Sequence, residues 1–218
     1  MLEQILPVDA ALVEAFDAPV EVELFPEERA VVRRAVDKRR REFTTARYCA
    51  RAALAKLGVA AAPIVPGVRG EPQWPDGVVG SITHCAGYCA AAVAWKERIA
   101  SVGIDAEPHE PLPDGVLDAV ALPSERAWAS SASNAPVHRD RLLFSAKEAV
   151  YKAWFPVTRR FLEFGQAELT FDLDSATFSA RLLVPGPVVA GRELTELTGR
   201  WSVTAGVVLT AVDLSATL

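Results

Sequence analysis

Three observations predict a two-layer α+β fold made of two similar-sized halves. The 218 residues are 50% apolar, enough to bury a large core as one large domain or two small ones. Two segments carry helical periodicity, one in each half of the chain. Along the chain, a helix followed by strands occurs twice, which is the pattern of two α+β units rather than an alternating α/β sheet. No sequence repeat accompanies it.

The start, to about Phe25, is Leu/Val-rich with acidic interruptions and reads as strand and turns. Pro26-Glu27-Glu28 suits a helix N-terminus, where acidic groups oppose the positive dipole end. Phe43, Ala46, Ala50, Ala53, Leu54 and Leu57 keep the helical period, and Gly58 is placed to stop that helix. Pro63–Gly77 is a Pro/Gly-rich connection. Val78–Thr83 and Cys89–Trp95 read as strands around an Ala86-Gly87-Tyr88 turn, and Ser101–Asp105 as a further strand. Pro108–Pro136 is rich in Pro, Ala and Ser, with one short helix expected at Asp114–Ala121. A loop of this length suggests a lid or docking element. Arg139–Phe155 is the long helix, with Leu143, Ala146, Val150, Ala153 and Trp154 buried and Pro156 as its stop. Strands are expected near Ala167–Leu173, Thr177–Val184, Arg200–Thr204 and Val207–Leu214.

Composition excludes several classes. A net charge of −5 argues against general nucleic-acid affinity. The charge is uneven: residues 1–28 hold eight acidic groups and no Lys or Arg, while residues 33–51 hold eight basic ones. A start without a positive region is not a secretory signal. The longest uncharged apolar run, Cys85–Trp95, has 11 residues, too few to span a bilayer. Cys49, Cys85 and Cys89 are odd in number and lack zinc spacing, which points to reduced thiols in a cytoplasmic protein. His84, Cys85 and Cys89 lack a fourth ligand for a metal.

Two segments carry chemistry. In Val102-Gly103-Ile104-Asp105-Ala106-Glu107, the two carboxylates are two residues apart and share one face of a strand. In Phe144-Ser145-Ala146-Lys147-Glu148-Ala149-Val150-Tyr151-Lys152-Ala153-Trp154, Glu148 and Lys152 share one side of a helix. Three carboxylates and an ammonium meeting at a strand end could cradle a hard cation and its phosphates. Taken alone, such groups more often form a solvated salt-bridge face.

A third segment changes the balance. Gly80-Ser81-x-Thr83-His84-Cys85, Gly103-Ile104-Asp105-x-Glu107 and Phe144-Ser145-x-Lys147-Glu148-x-x-Tyr151-Lys152-Ala153 together resemble the 4′-phosphopantetheinyl transferases of the surfactin and enterobactin type, in order and spacing, over residues 70 to 156. The resemblance implies a pseudo-twofold pair of halves with the active site in the cleft between them. Residues 1–104 would bind the coenzyme A phosphates and adenine; residues 105–218 would carry the metal site and catalytic helix. It implies transfer of the 4′-phosphopantetheine arm of coenzyme A to a serine of an acyl, peptidyl or aryl carrier protein, with release of 3′,5′-ADP. Polyketide, nonribosomal peptide, fatty-acid and siderophore pathways all use such carriers.

Residue by residue, the resemblance implies that Asp105, Glu107 and Glu148 hold Mg²⁺, or Mn²⁺ in its place. Glu148 is the candidate base, directly or through a metal-bound water. Lys152 holds phosphate and stabilises the leaving oxygen. Arg39 and Arg47 match positions that hold the 3′-phosphate, and His84 matches a phosphate contact. Ser81 and Thr83 could support the adenine pocket. Arg69 could replace a lysine that some relatives have at Pro66. Lys147 points about 100° away from Glu148 and could reach the nucleotide end or be a solvated lysine. Arg33, Arg34 and Arg41 read as a solvated helix face, and Trp74 as packing. Arg159, Arg160 and Phe161 mix basic and apolar character after the helix and are candidates for docking an acidic carrier. A monomer without nucleic-acid or membrane partners is expected. Two alternatives use the same residues: a metal-dependent phosphohydrolase of a nucleotide-like pyrophosphate, and a non-catalytic module that binds coenzyme A or a carrier protein.

Overall fold

The computed structural model describes residues 1–16, 22–131 and 137–216. Asp17, Glu21 and the Pro136 end of the long connection lie outside them. A strand β1 (Ala11–Phe16) leads to helix α1 (Pro26–Val32) and helix α2 (Asp37–Lys56). A hairpin of β2 (Val78–Cys85) and β3 (Tyr88–Trp95) follows, and β1 pairs with β3 to give the antiparallel order β1-β3-β2. Strand β4 (Ile99–Pro108) opens the second unit, with helices α3 (Val116–Val120), α4 (Pro123–Ser130) and α5 (Arg139–Thr158). Strands β5 (Ala167–Asp172), β6 (Thr177–Leu182), a short ribbon β7–β8 (Val188–Val189 and Arg192–Glu193), β9 (Glu196–Thr204) and β10 (Val207–Ser215) complete it. The larger sheet is antiparallel in the order β4-β10-β9-β6-β5.

The layers follow from strand alternation. On β3, Cys89, Ala91 and Val93 pack against α2 residues Ala46, Cys49, Ala50 and Ala53. Ala90, Ala92 and Ala94 face the other way, into a core shared with Ile104, Ala106, Leu209 and Ala211 of the larger sheet. On β10, Val208 and Val212 turn instead to α5, where Leu142, Ala146, Ala149, Val150 and Trp154 are buried. Two α/β layers thus stack sheet to sheet, and β3 reads as one apolar run because both of its faces are covered.

Local signals explain the ends of α2 and α5. Gly58 (φ 75°) closes α2 with a Schellman pair, Val59 N–H to Leu54 C=O and Gly58 N–H to Ala55 C=O, both 3.0 Å. Pro156, expected to stop α5, lies inside its last turn. Its missing N–H removes one helical bond only, and the helix ends instead where Arg159 enters the left-handed region (φ 55°). The described part of the Pro108–Pro136 connection, to residue 131, holds two helices rather than one. Helix α4 packs beside α5 through a buried Glu125, so this part of the connection is a brace and not an open lid. The whole of β4 pairs with β10, so the change of sheet falls in the Trp95–Ile99 turn rather than at residue 104.

Candidate active site

Strand alternation turns Ser101, Gly103, Asp105 and Glu107 toward α5. Ser101 Oγ donates to Ala153 O at 2.7 Å. A Cβ on Gly103 would lie 2.1 Å from Ala149 O, so only glycine lets the helix approach the strand this closely. That approach brings Lys152 Nζ within 2.7 Å of Asp105 Oδ1 and 3.1 Å of Ile104 O. Glu107 is held by Arg141, whose Nη1 donates to Oε2 at 2.7 Å. Arg141 also donates to Glu110 O and Pro111 O, which fixes its direction. Its role was missed in the sequence, although Arg141, Ser145, Glu148 and Lys152 follow the i, i+4, i+7, i+11 spacing of one helix face.

From the other half, β2 supplies hydroxyls to the edge of β4. Ser81 Oγ accepts the Ile104 N–H at 3.1 Å. Thr83 Oγ1 accepts the Ala106 N–H at 3.0 Å and donates to Asp105 Oδ1 at 3.3 Å. These buried bonds form the floor between the halves. The Thr83 hydroxyl is engaged there on both counts; the Ser81 residue also lines the cleft above. His84 follows on the exposed side of β2, with Nε2 3.3 Å from Arg39 Nη1. The protein packed around its ring, and then the charges of Arg39 and Lys152, hold its pKa below the ordinary histidine value. Arg47 is buried behind this pair: its Nε donates to Ile64 O at 2.6 Å, and its guanidinium stacks 3.8 Å from the Phe43 ring centre. Burial lowers its pKa to about 10.

The carboxylates are electrostatically loaded. Burial, then the neighbouring acidic charges, raise the pKa of Glu148 and Glu107, against the pull of Lys152 and Arg141. Asp105 Oδ2 is buried and has no hydrogen-bond partner. Among the described residues, no three His, Cys, Asp or Glu side chains stand close enough together to hold a metal. Lys152 and Arg141 hold two of the three acids instead. The chemistry of the three acids still suits a hard cation: each offers only carboxylate oxygens, one of them, Asp105 Oδ2, buried and without a hydrogen-bond partner.

Two cavities meet at Glu148 and Tyr151. A cleft of about 850 Å³ runs between the halves, lined by Arg69, Trp74, Ser81, Lys152 and Arg159 among others. A smaller crevice of about 210 Å³ is walled by Val150, Phe161, Leu162 and Phe164. Tyr151 borders both; it stands in the helix motif but was given no role from sequence. Trp74 both packs and lines the cleft, donating Nε1–H to Gly80 O at 2.9 Å.

Lys147 departs from both sequence expectations. It is neither solvated nor free to reach a nucleotide: its ammonium is buried against Glu125 (2.8 Å), Phe164 O (2.6 Å) and Ala167 O (3.0 Å). The 100° offset from Glu148 aims it at α4, a helix the sequence did not show. Arg160 donates to Pro185 O at 2.5 Å and stacks on Trp154, while Arg159 Nη1 donates to Glu71 Oε1 at 3.2 Å. Phe161 is 55% exposed at the crevice rim, under the Arg69 guanidinium.

Comparison with known proteins decides the family. Residues 27–94 match the 4′-phosphopantetheinyl transferase N-terminal domain, and residues 101–203 match the 4′-phosphopantetheinyl transferase superfamily. The chain belongs to this superfamily. It is 57% identical to 4′-phosphopantetheinyl transferase Svp of Streptomyces mobaraensis, over 99% of this chain and 90% of that one. It is 53% identical to 4′-phosphopantetheinyl transferase PptT of Mycobacterium tuberculosis, over 94% and 92%. Enterobactin synthase component D of Salmonella typhi is 38% identical over 56% of this chain and 51% of its own. As a 4′-phosphopantetheinyl transferase, the chain is an enzyme that moves the phosphopantetheine arm of coenzyme A to carrier proteins. The phosphohydrolase and binding-module readings are not favoured. No helix among the described residues is long and apolar enough to cross a membrane.

Proposed function

We propose that Glu148 is the base of this transfer and that coenzyme A spans the two cavities that meet beside it. The observation that carries the reading is the position of Glu148, a carboxylate on the border of both cavities. The nucleotide and its pyrophosphate take the larger cleft, which Arg69 and Lys152 line, and the phosphopantetheine arm enters the apolar crevice past Tyr151. Arg39 and His84, which line neither cavity, hold the 3′-phosphate on the exposed side of β2 outside the cleft. Arg47, whose terminal nitrogens have no hydrogen-bond partner among the described residues, supports it from behind. Coenzyme A carries about four negative charges, and the Arg39–Arg47–His84 group with Arg69 supplies the matching field. Functionally, residues 1–104 bind the cofactor and residues 105–218 carry the acids and the catalytic helix.

The carrier serine hydroxyl attacks the β-phosphorus, and its proton passes to Glu148. The bond from that phosphorus to the bridging oxygen breaks, and 3′,5′-ADP leaves with the electron pair. Lys152 moves from Asp105 toward the pyrophosphate and stabilises the leaving oxygen. Mg²⁺ held by Asp105, Glu107 and Glu148 would neutralise pyrophosphate charge there. Phe161, flanked by Arg159 and Arg160, offers an apolar anchor with a basic rim to an acidic carrier protein. The protein acts as a cytoplasmic monomer.

Mass spectrometry of an apo carrier protein incubated with coenzyme A, with Mg²⁺ or with chelator, tests this. The expected result is a carrier that gains the arm only with the cation. Cofactor consumption without carrier modification would return the reading to a phosphohydrolase. Transfer at full rate in chelator would remove the metal from it.

A further inference from the structure

Resting on that reading, we infer that Glu71 is a positioning residue that clasps the two halves over the coenzyme A cleft through Arg159. The floor of the cleft is fixed by the buried Ser81 and Thr83 bonds to β4. Among the described residues, its mouth is joined by exposed rather than buried contacts. There the Pro66–Pro72 hairpin, closed by an isolated bridge between those two prolines, reaches across to the end of α5. Two contacts join them: Glu71 Oε1 accepts from Arg159 Nη1 at 3.2 Å, and Arg69 lies 5.3 Å over the Phe161 ring. All but Phe161 line the same cleft as Glu148 and Lys152.

Glu71 is held in place. Its Oε2 accepts the Arg69 N–H at 2.9 Å, and its backbone C=O accepts the Gly67 N–H at 2.7 Å. A Cβ at residue 67 would stand 2.2 Å from Oε1, so Gly67 is the residue that leaves room for the carboxylate. Arg159 is the left-handed C-cap of α5 (φ 55°), so its side chain leaves the end of the helix at the mouth, where it meets Glu71. A carboxylate facing an anionic cofactor would repel it if unpaired, and a bound carboxylate enclosed on three sides does not swing aside. Its effect is therefore to set the mouth of the cleft before the cofactor arrives, which lowers the ordering cost of binding.

The test compares Glu71→Gln, Arg159→Gln and the double variant, reading coenzyme A affinity by calorimetry and, separately, kcat and KM for each substrate. Both single changes are expected to weaken coenzyme A by about threefold to fivefold, the range of one partly exposed ion pair, and Arg159→Gln also to raise carrier KM because Arg159 belongs to the docking rim. The double variant should be no weaker than either single one, because one interaction is removed in all three. A drop in melting temperature for Glu71→Gln with unaltered coenzyme A affinity would reduce Glu71 to a loop brace and overturn the inference. So would tighter coenzyme A binding by Glu71→Gln, or a rise confined to carrier KM in Arg159→Gln. Calorimetry needs no turnover, so a wild type that binds coenzyme A without transferring its arm would fail the proposed function and leave this comparison readable.

Discussion

The two halves share a strand–helix–hairpin core, to which the second adds α3, α4 and β5–β8, and differ in what they do with it. In each, a strand precedes a 20-residue helix, a hairpin follows, and the first strand pairs with the last: β1, α2, β2–β3 in one and β4, α5, β9–β10 in the other. Even the hairpin tips match, Ala86-Gly87 and Ala205-Gly206. Helix α2 meets its sheet through Ala46, Cys49, Ala50, Ala53 and Leu54, all buried and apolar. Helix α5 instead turns Arg141, Ser145, Glu148 and Lys152 toward the carboxylates of β4. The first strands show the contrast most sharply. Glu14 on β1 is pushed up by burial, but the N-terminal ammonium (2.7 Å), the Tyr88 hydroxyl (2.6 Å) and the Leu2 N–H (3.1 Å) outweigh that and hold its pKa below the usual carboxylate value. Glu107 and Glu148 go the other way. A satisfied acid fastens the fold, whereas the crowded acids of β4 and α5 carry an electrostatic cost.

Breaking the second unit at its acids has the largest expected effect. Asp105→Ala or Glu148→Ala should lower arm transfer at least 100-fold, about 2.7 kcal/mol, with the circular dichroism spectrum unchanged. Near-normal turnover in either would move the site elsewhere. Next comes the buried arginine of the first unit. Arg47→Ala leaves Ile64 O without its donor, so urea denaturation should show a loss of about 2 kcal/mol together with weaker coenzyme A binding. Arg39→Ala, at an exposed position, should weaken binding while changing stability by less than about 0.5 kcal/mol. Equal stability losses would mean that Arg47 is no more structural than Arg39.

His84→Ala should raise the coenzyme A KM about tenfold with kcat nearly constant, since its phosphate does not change bonding during transfer. A matching fall in kcat would give the imidazole a part in the chemical step. The smallest effects test the contrast between the acids directly. Ionised Glu14 stabilises the fold above the usual carboxylate range, and this is lost as pH falls through its lowered pKa. Ionised Glu148 costs stability, so its contribution is favourable only at acid pH and is lost as pH rises through its raised pKa. At pH 7 without metal, Glu14→Gln should therefore lower the melting temperature and Glu148→Gln should raise it by about 2 °C. Both differences should shrink at acid pH. Shifts of the same sign at pH 7 would end the comparison.

Much of this was legible because it depends on local period. The two-residue spacing of Asp105 and Glu107 set their shared face, Gly58 stopped α2, and the apolar stripe of α5 is buried as read. The family motifs named the strand, the helix and the acids between them. Other expectations failed where a distant partner decided. Pro156 is tolerated because it falls in a last turn that ends anyway. The Pro108–Pro136 stretch carries little periodicity, yet α4 forms in it around Glu125, which caps Leu122 N–H and Leu169 N–H and pairs with Lys147.

The sequence alone determined most of the elements, α4 and the β7–β8 ribbon excepted, with their faces and the chemical type of the site, since side-chain direction in helices and strands repeats every few residues. Tertiary structure decided which charges face one another. It sent Lys147 into a buried pair and gave Arg141 to Glu107 and Lys152 to Asp105. It stacked the two sheets so that the hydroxyls of Ser81 and Thr83 complete the edge of β4. Those choices rest on contacts between residues tens of positions apart, and their strength depends on burial, which no local pattern records.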